Sequence, residues 1–290
     1  QSIKFLGVRP RGLDTSDPGT GKTRVHAEVF AKRRKKGSGA ALIVAPRSLL
    51  QTAWEADIKR FLPHLKTSVA YAANRAKAFE ADVDVYIINT DGVTWLARQK
   101  PKFFKRFSTL ITDEASAFKH HTSQRSKALA KIRKYFEFRY LLSGTPNSNS
   151  VTELWHLLFI LDDGKRLGDS FFKFRNTVAN STQTGPQPNM VTWEDKPGSI
   201  EAVASIISDI SIRHKLEDCQ DIPANHSYSI EYELPKAVRK AYDQMEAVAI
   251  SQLKSGLVTA VNAASVAIKL LPICSGAVSD EPRVPHVIDT

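Results

Sequence analysis

Cysteine is scarce in this sequence. The 290 residues hold two, Cys219 and Cys274, far apart and outside any Cys-x-x-Cys or Cys/His cluster. That argues against zinc, which needs four ligands drawn from close-spaced pairs, and His120-His121 has no further ligands nearby. So few cysteines also fit a reducing compartment. No run of about 18 apolar residues occurs, and the first residues lack a signal-peptide pattern, so nothing points to a membrane. The expectation is a cytoplasmic protein, or a nuclear one if its source has a nucleus. No internal repeat is visible.

What is present is ordinary in amount and uneven in sign. Hydrophobic residues make up 42% and charged residues 24%, enough for a sizeable core and too apolar for disorder on composition. The net charge is +11. Such an excess favours polyanionic partners through counterion release, and is silent on fold.

Short apolar runs alternate with helical patterns over the first 163 residues. Ala41–Ala45 is apolar throughout and bounded by a glycine turn and Pro46, so it reads as a buried strand. Leu50, Trp54, Ile58 and Phe61 recur at helical spacing and mark one face. Further strands are expected at Thr67–Tyr71, Val85–Asn89, Ser108–Thr112 and Tyr140–Ser143. Strand–helix alternation implies parallel pairing with helices on both faces, an α/β core. After Asp162-Asp163-Gly164 the pattern becomes mostly helical, around a polar, proline-rich loop over 181–197 that reads as exposed and mobile. A half-buried strand is expected at Ser227–Leu234, then helices at Lys236–Lys254 and Val258–Leu271.

Residues 16–23 read Ser-Asp-Pro-Gly-Thr-Gly-Lys-Thr, the phosphate-loop pattern Gly-x-x-x-x-Gly-Lys-Ser/Thr with Ser16 in the first glycine position. Gly19 and Gly21 permit the tight turn that points the amides of Gly19, Thr20, Gly21, Lys22 and Thr23 at phosphate oxygens. Lys22 can reach the β- and γ-phosphates of ATP, and the Thr23 hydroxyl can coordinate Mg²⁺. Asp113 and Glu114 follow a core strand. A carboxylate there suits Mg²⁺, and its neighbour can orient or deprotonate the attacking water. The basic run Lys32–Lys36 is expected to be a solvated helix end, and Trp54 a core residue.

Taken in order, the phosphate loop, Leu42–Leu50 (LIVAPRSLL), Asp113-Glu114-Ala115-Ser116 and Ser143-Gly144-Thr145-Pro146 resemble superfamily-two helicase motors. Trp54-Glu55, Glu153-Leu154-Trp155 and Arg213–Asp218 (RHKLED) with Ile222-Pro223 resemble the Swi/Snf branch. The resemblance implies a RecA-like P-loop core with Lys22, Asp113 and Glu114 catalytic, and Thr23 and Asp113 on the metal. Gln1, sixteen residues before Asp17, would read adenine. Ser143 and Thr145 would couple the nucleotide to DNA movement, and Arg47, Ser48, Asn89 and Thr90 would lie along the DNA backbone. Ser116 departs from the family's histidine. The implied layout is a RecA-like lobe over 1–163, a helical protrusion over 164–222, and a linker over 223–290 leading to a second lobe that the sequence does not contain. The implied function is an ATP-driven translocase on double-stranded DNA, with other nucleic acids or proteins as further partners, and little turnover by these residues alone. Two alternatives stay open: an AAA+ ATPase, and a nucleotide-dependent binding module without turnover.

Overall fold

Parallel strands need crossovers of a dozen or more residues, and the spacing of the apolar runs supplies them. The computed structural model describes residues 1–147, 149–187, 190–219, 228, 233–254, 270–271, 273–274, 277–279 and 285–287. Two compact units emerge, Gln1–Ile222 and Pro223–Thr290.

In the first unit, helix α1 (Ser2–Gly7) precedes strand β1 (Arg11–Asp14), and the glycine-rich loop opens α2 (Lys22–Arg34). β2 (Ala40–Ala45) runs into a π-helical turn, Leu50–Glu55, continued by α3 (Ala56–Phe61). Next come β3 (Thr67–Ala70), α4 (Arg75–Ala78), β4 (Val85–Asn89), α5 (Val93–Leu96), α6 (Pro101–Phe104) and β5 (Phe107–Thr112). α7 (Gln124–Ile132), β6 (Phe138–Leu142) and α8 (Leu154–Asp162) complete the part expected as one lobe.

Seven strands form one parallel sheet in the order β3-β4-β2-β5-β6-β1-β9, the last being β9 (Ser211–Ile212). Both faces are covered, which is why β2 and β5 are buried along their whole length. Leu42 and Val44 join the cluster beneath α5–α8, while Ala41, Ile43 and Ala45 join the one beneath α2 and the π-helical turn. A parallel sheet brings every strand's C-terminal end to one edge. The loops after β1, β2, β4, β5 and β6 therefore share that edge, where ligands bind in open α/β sheets.

Several expectations need correction. The 181–197 segment is not loop throughout. Residues 181–183 and 191–195 lie in an antiparallel hairpin, β7 (Ala179–Gln183) with β8 (Val191–Asp195), between α9 (Phe171–Val178) and α10 (Ser199–Ile207). The Asp195 carboxylate anchors it, accepting from Ser150 Oγ at 2.6 Å and Val151 N at 2.7 Å. The 164–222 segment is accordingly not wholly helical, and its β9 extends the main sheet.

Phe61 does not share the buried face of Leu50, Trp54 and Ile58. It is 36% exposed, with the Arg24 and Arg60 guanidinium groups 4.5 and 5.0 Å from its ring centroid. The π-helical turn changes the phase, so helical counting from Leu50 fails by the end of α3. Most of the strand expected at Ser227–Leu234 lies outside the described residues, and Tyr228, Glu233 and Leu234 are not in strand. The helix expected at Val258–Leu271 also lies largely outside them. In the second unit α11 spans Lys236–Lys254, and β10 (Ala277–Ser279) pairs antiparallel with β11 (Pro285–Val287).

Arg33 corrects the reading of the basic run as a solvated end. It is 8% exposed and lies over the Phe138 ring. Its guanidinium donates to the carbonyls of Leu6, Gly7 and Arg9 and to the Tyr140 hydroxyl, tying α1 to α2 and β6. Arg34 pairs with Asp84 at 2.8 Å. Arg33→Ala strands several buried acceptors. It is expected to lower stability by about 1–3 kcal/mol for the lost partners, read as a fall in the urea midpoint at unchanged slope.

Candidate nucleotide site

The phosphate loop is built by backbone that only glycine adopts easily. Gly19 has φ 83° and Gly21 φ 81°, both in the left-handed region. Gly21 caps α2, and a side chain there would meet nothing within 4 Å, so the turn opens onto free space. No acidic residue occupies the first turn of α2, which leaves the positive helix end available to an anion. The Lys22 ammonium folds back on the loop, donating to Ser16 O at 2.6 Å and Asp17 O at 2.9 Å. Thr20 Oγ1 donates to Asp17 O at 2.8 Å, and Thr23 is half-buried in the first turn.

An outer wall supports the loop. The β1–β9 ladder continues past the strand end, with Leu13 N, Thr15 N and Asp17 N donating to Ile210 O, Ile212 O and His214 O at 2.8–3.0 Å. His214 N donates to Ser16 Oγ at 3.0 Å, and Leu216 N to Asp17 Oδ2 at 3.1 Å. Ser16 is thus a buried acceptor, which explains its presence in the usual glycine position. Asp14 and His26 add a buried pair underneath, His26 Nε2 to Asp14 Oδ2 at 3.1 Å, with Ser16 N donating to Asp14 Oδ1 at 3.0 Å. Burial works to raise the Asp14 carboxyl, and the hydrogen bonds from His26 and Ser16 outweigh it, so it titrates below its ordinary value.

The acidic pair follows β5. Asp113 is 7% exposed; its Oδ2 accepts from the Trp54 indole at 2.8 Å and its Oδ1 from Glu114 N at 2.9 Å. Glu114 is left-handed at φ 46°, ψ 52°, a conformation that costs a non-glycine residue about 1–3 kcal/mol and that gathers at functional sites. Its carboxyl reaches solvent, yet partial desolvation and then the Asp113 charge raise its pKa, while the Lys22 charge opposes them. The loop after β1 and the acidic pair after β5 thus lie along the same C-terminal edge of the sheet.

They do not sit on neighbouring strands. β6 lies between β5 and β1. Its end fills the gap: Ser143 N donates to Asp14 O at 3.0 Å, and a side chain on Gly144 would come within 3.4 Å of Pro18. Ser143 is 1% exposed and its hydroxyl has no hydrogen-bond partner, as is true of Thr112 Oγ1. Thr145 is exposed beside a cleft of about 520 Å³ that also touches Thr15, Asn147, Ile200 and Arg213.

The remaining sequence candidates divide. Arg47 and Ser48 are exposed after β2, with Arg47 over the Tyr71 ring at 4.6 Å. Thr90 is half-buried after β4. Asn89 is buried, and Arg75 Nη2 donates to its Oδ1 at 3.2 Å, so Arg75 stands between this strand end and solvent. Gln1 is exposed next to Ser2, whose hydroxyl lies 2.8 Å from His214 Nε2, beside the loop's outer wall. Lys119 pairs with Glu153 at 2.8 Å, and the His121 ring packs against Phe171 at a tilt, with centroids 4.2 Å apart. Sequence reasoning missed Asp14, His26, Arg75 and the supporting role of 210–216; only the proximity of His26 to Lys22 on α2 offered a signal.

With this geometry in place, comparison with known proteins is decisive. A family model described as SNF2-related domain matches residues 10–273. The chain belongs to the SNF2-related family. It is 28% identical over 278 residues to putative protein p41 of Acyrthosiphon pisum secondary endosymbiont phage 1, covering 91% of this chain and 60% of that protein. Helicase SWR1 of Saccharomyces cerevisiae is 26% identical over 257 residues, covering 80% of this chain and 16% of SWR1. A solved Sulfolobus solfataricus SWI2/SNF2 ATPase core, in complex with dsDNA, superposes with TM-score 0.60 at 23% identity, covering 93% of this chain and 56% of that one. The SNF2-related core is thus a RecA-like α/β fold, and the AAA+ alternative is set aside. The chain spans 60% or less of the length of these relatives.

Ser16→Ala removes the acceptor for His214 N. The expected result is a loss of about 1 kcal/mol and faster amide exchange at His214 and Leu216, with the core strands unchanged. Unchanged exchange at His214 would show that the wall does not depend on Ser16.

Proposed function

We propose that this SNF2-related core hydrolyses ATP and uses it to move along double-stranded DNA. The observation that supports this most directly is the shared sheet edge that carries the left-handed glycine loop, Lys22 and the Asp113-Glu114 pair. The residues fit Mg²⁺–ATP. Among the described residues no group of three or more His, Cys, Asp or Glu is arranged to hold a metal. That suits magnesium, which takes one or two carboxylates and completes its shell with phosphate oxygens and water. Thr23 and Asp113 would hold it, supplying charge neutralisation at the transferring phosphoryl group.

The chain's own residues then have separable tasks. The amides of Gly19–Thr23 bind phosphate oxygens, and Lys22 exchanges the Ser16 and Asp17 carbonyls for them. Glu114 holds or accepts a proton from water, its raised pKa bringing it closer to the strength a base needs near neutrality. Gln1 contacts the base. Ser143 and Thr145 relay the state of the site, and Arg47, Ser48 and Thr90 meet the DNA backbone, with Arg75 taking the place first given to Asn89. Such contacts position DNA and carry no sequence information. The Sulfolobus solfataricus core in complex with dsDNA and the net charge of +11 both support DNA as the partner. A cytoplasmic or nuclear setting accords with this reading; among the described residues no helix is long and apolar enough to cross a membrane. Turnover by these residues alone is expected to be low, and binding of nucleotide readily measured.

Glu114→Gln is expected to abolish DNA-stimulated hydrolysis by the full-length protein while leaving ATP binding within a few-fold, whereas Lys22→Ala weakens binding itself. Hydrolysis that survives both substitutions removes the reading. The pH profile is a second check. A base with a raised pKa is protonated, and inactive, to higher pH than an ordinary glutamate, so the acid limb of the rate should lie above the usual carboxylate range. An acid limb at the ordinary glutamate value would assign the proton transfer elsewhere.

A further inference from the structure

Trp54 sits where two parts of the site meet. It is fully buried, and its indole N–H donates to Asp113 Oδ2 at 2.8 Å. With Glu114 N on Oδ1 at 2.9 Å, the carboxylate is gripped from both sides and its plane is set. A phenylalanine would fill the same core but could not make that bond. Trp54 also belongs to the π-helical turn Leu50–Glu55, a geometry rare enough to mark a functional segment when it recurs beside a site. The turn grows directly from the exposed Pro46–Leu49 corner, where Leu49 N donates to Pro46 O at 2.9 Å and Thr52 Oγ1 donates to Ser48 O. Ser48 is thus tied to Thr52, two residues before Trp54 in the same π-helical turn. A residue of α-helix turns by about 100°, so relaxing the wide turn toward α-helix would swing Trp54 off the carboxylate.

We infer that Trp54 is a positioning residue through which DNA backbone at Arg47–Ser48 sets the Asp113 carboxylate for Mg²⁺. The inference rests on the nucleotide-site reading above and adds the route of DNA stimulation to it. Holding the Pro46–Leu49 corner holds the π-helical turn, and the turn holds the indole on Asp113. Removing the indole donor leaves both ligand sites in place and uncouples them. Coupling of this kind is reciprocal, so DNA must tighten Mg²⁺–nucleotide binding by the factor with which Mg²⁺–nucleotide tightens DNA.

The test measures binding of Mg²⁺ with a non-hydrolysable ATP analogue, with and without a saturating DNA duplex, for the wild-type chain, Trp54→Phe and Arg47→Ala. Wild type should show mutual tightening of about fivefold or more, the usual lower range of coupling. In Trp54→Phe that factor should vanish, and about tenfold more Mg²⁺ should be needed for nucleotide binding, as when a group orienting a metal ligand is lost. Arg47 is exposed, so Arg47→Ala tests the same route without disturbing the core; duplex should no longer shift its nucleotide affinity. Full coupling retained in either variant, or an unchanged Mg²⁺ requirement in Trp54→Phe, overturns this inference alone. Failure of the wild-type chain to bind Mg²⁺–nucleotide overturns the site reading and this inference together.

Discussion

A loop that turns its amides toward an anion turns its carbonyls and side chains the other way, and those need partners of their own. Here the outer partners come from residues 210–216. The parallel ladder from β9 runs on past the end of β1 through Thr15 and Asp17, and backbone amides of His214 and Leu216 bind the Ser16 hydroxyl and the Asp17 carboxylate. On the inner side Lys22 is folded onto the carbonyls of Ser16 and Asp17. The cradle is therefore preorganised by chain lying almost two hundred residues downstream, and the Arg213–Asp218 passage acquires a physical task. It is the outer wall of the glycine loop.

The replacement of the family's histidine by Ser116 has a counterpart a few residues on. Lys119 reaches Glu153 in an ion pair whose side chains are only 14% and 10% exposed. Burial works to raise Glu153, and the hydrogen bonds from Lys119 and Asn149 hold it below its usual range. Beside that pair His156, with a pKa lowered to about 4 chiefly by burial, is neutral at physiological pH. It must donate Nδ1–H to Phe118 O, 2.6 Å away. The segment after the acidic pair is thus held to the start of α8, the helix after Ser143-Gly144-Thr145-Pro146, by these contacts and not by the side chain at residue 116.

The legible parts of the sequence were those where one physical requirement dominates. β2, β4 and β5 are buried on both faces, so each reads as an apolar run, and the phosphate loop needs glycines and a lysine at fixed offsets. Legibility fails where requirements compete. β1 carries Arg11, Gly12 and Asp14 because it must also approach Leu6 and Tyr140 closely and pair with His26, and so it lacks a strand's composition. β9 is two residues long and is specified by its partner, not by its own sequence. The 181–197 segment looked like a loop because an exposed hairpin needs few apolar residues. Arg33 was taken for surface because nothing local reveals that the end of α1 and the turn after it bring three carbonyls to it.

Along the ligand edge the strand ends succeed one another as Asn89 of β4, Pro46 after β2, Asp113 after β5, Ser143 after β6, and Asp14 of β1. The nucleotide candidates occupy β5, β6 and β1, and the backbone-contacting candidates occupy β4 and β2. The division between the two groups falls between β2 and β5, which pair in register over Leu42–Val44 and Leu110–Thr112. The loops above the sheet add further contacts between the two groups. Trp54 is a side chain that crosses that line, leaving the segment after β2 and ending on the carboxylate after β5. Asp113 N also donates to Val44 O at 2.7 Å and Arg125 pairs with Asp91 across the same line, but the Trp54 bond is the one of these that a side chain makes to the carboxylate itself, which opens it to substitution.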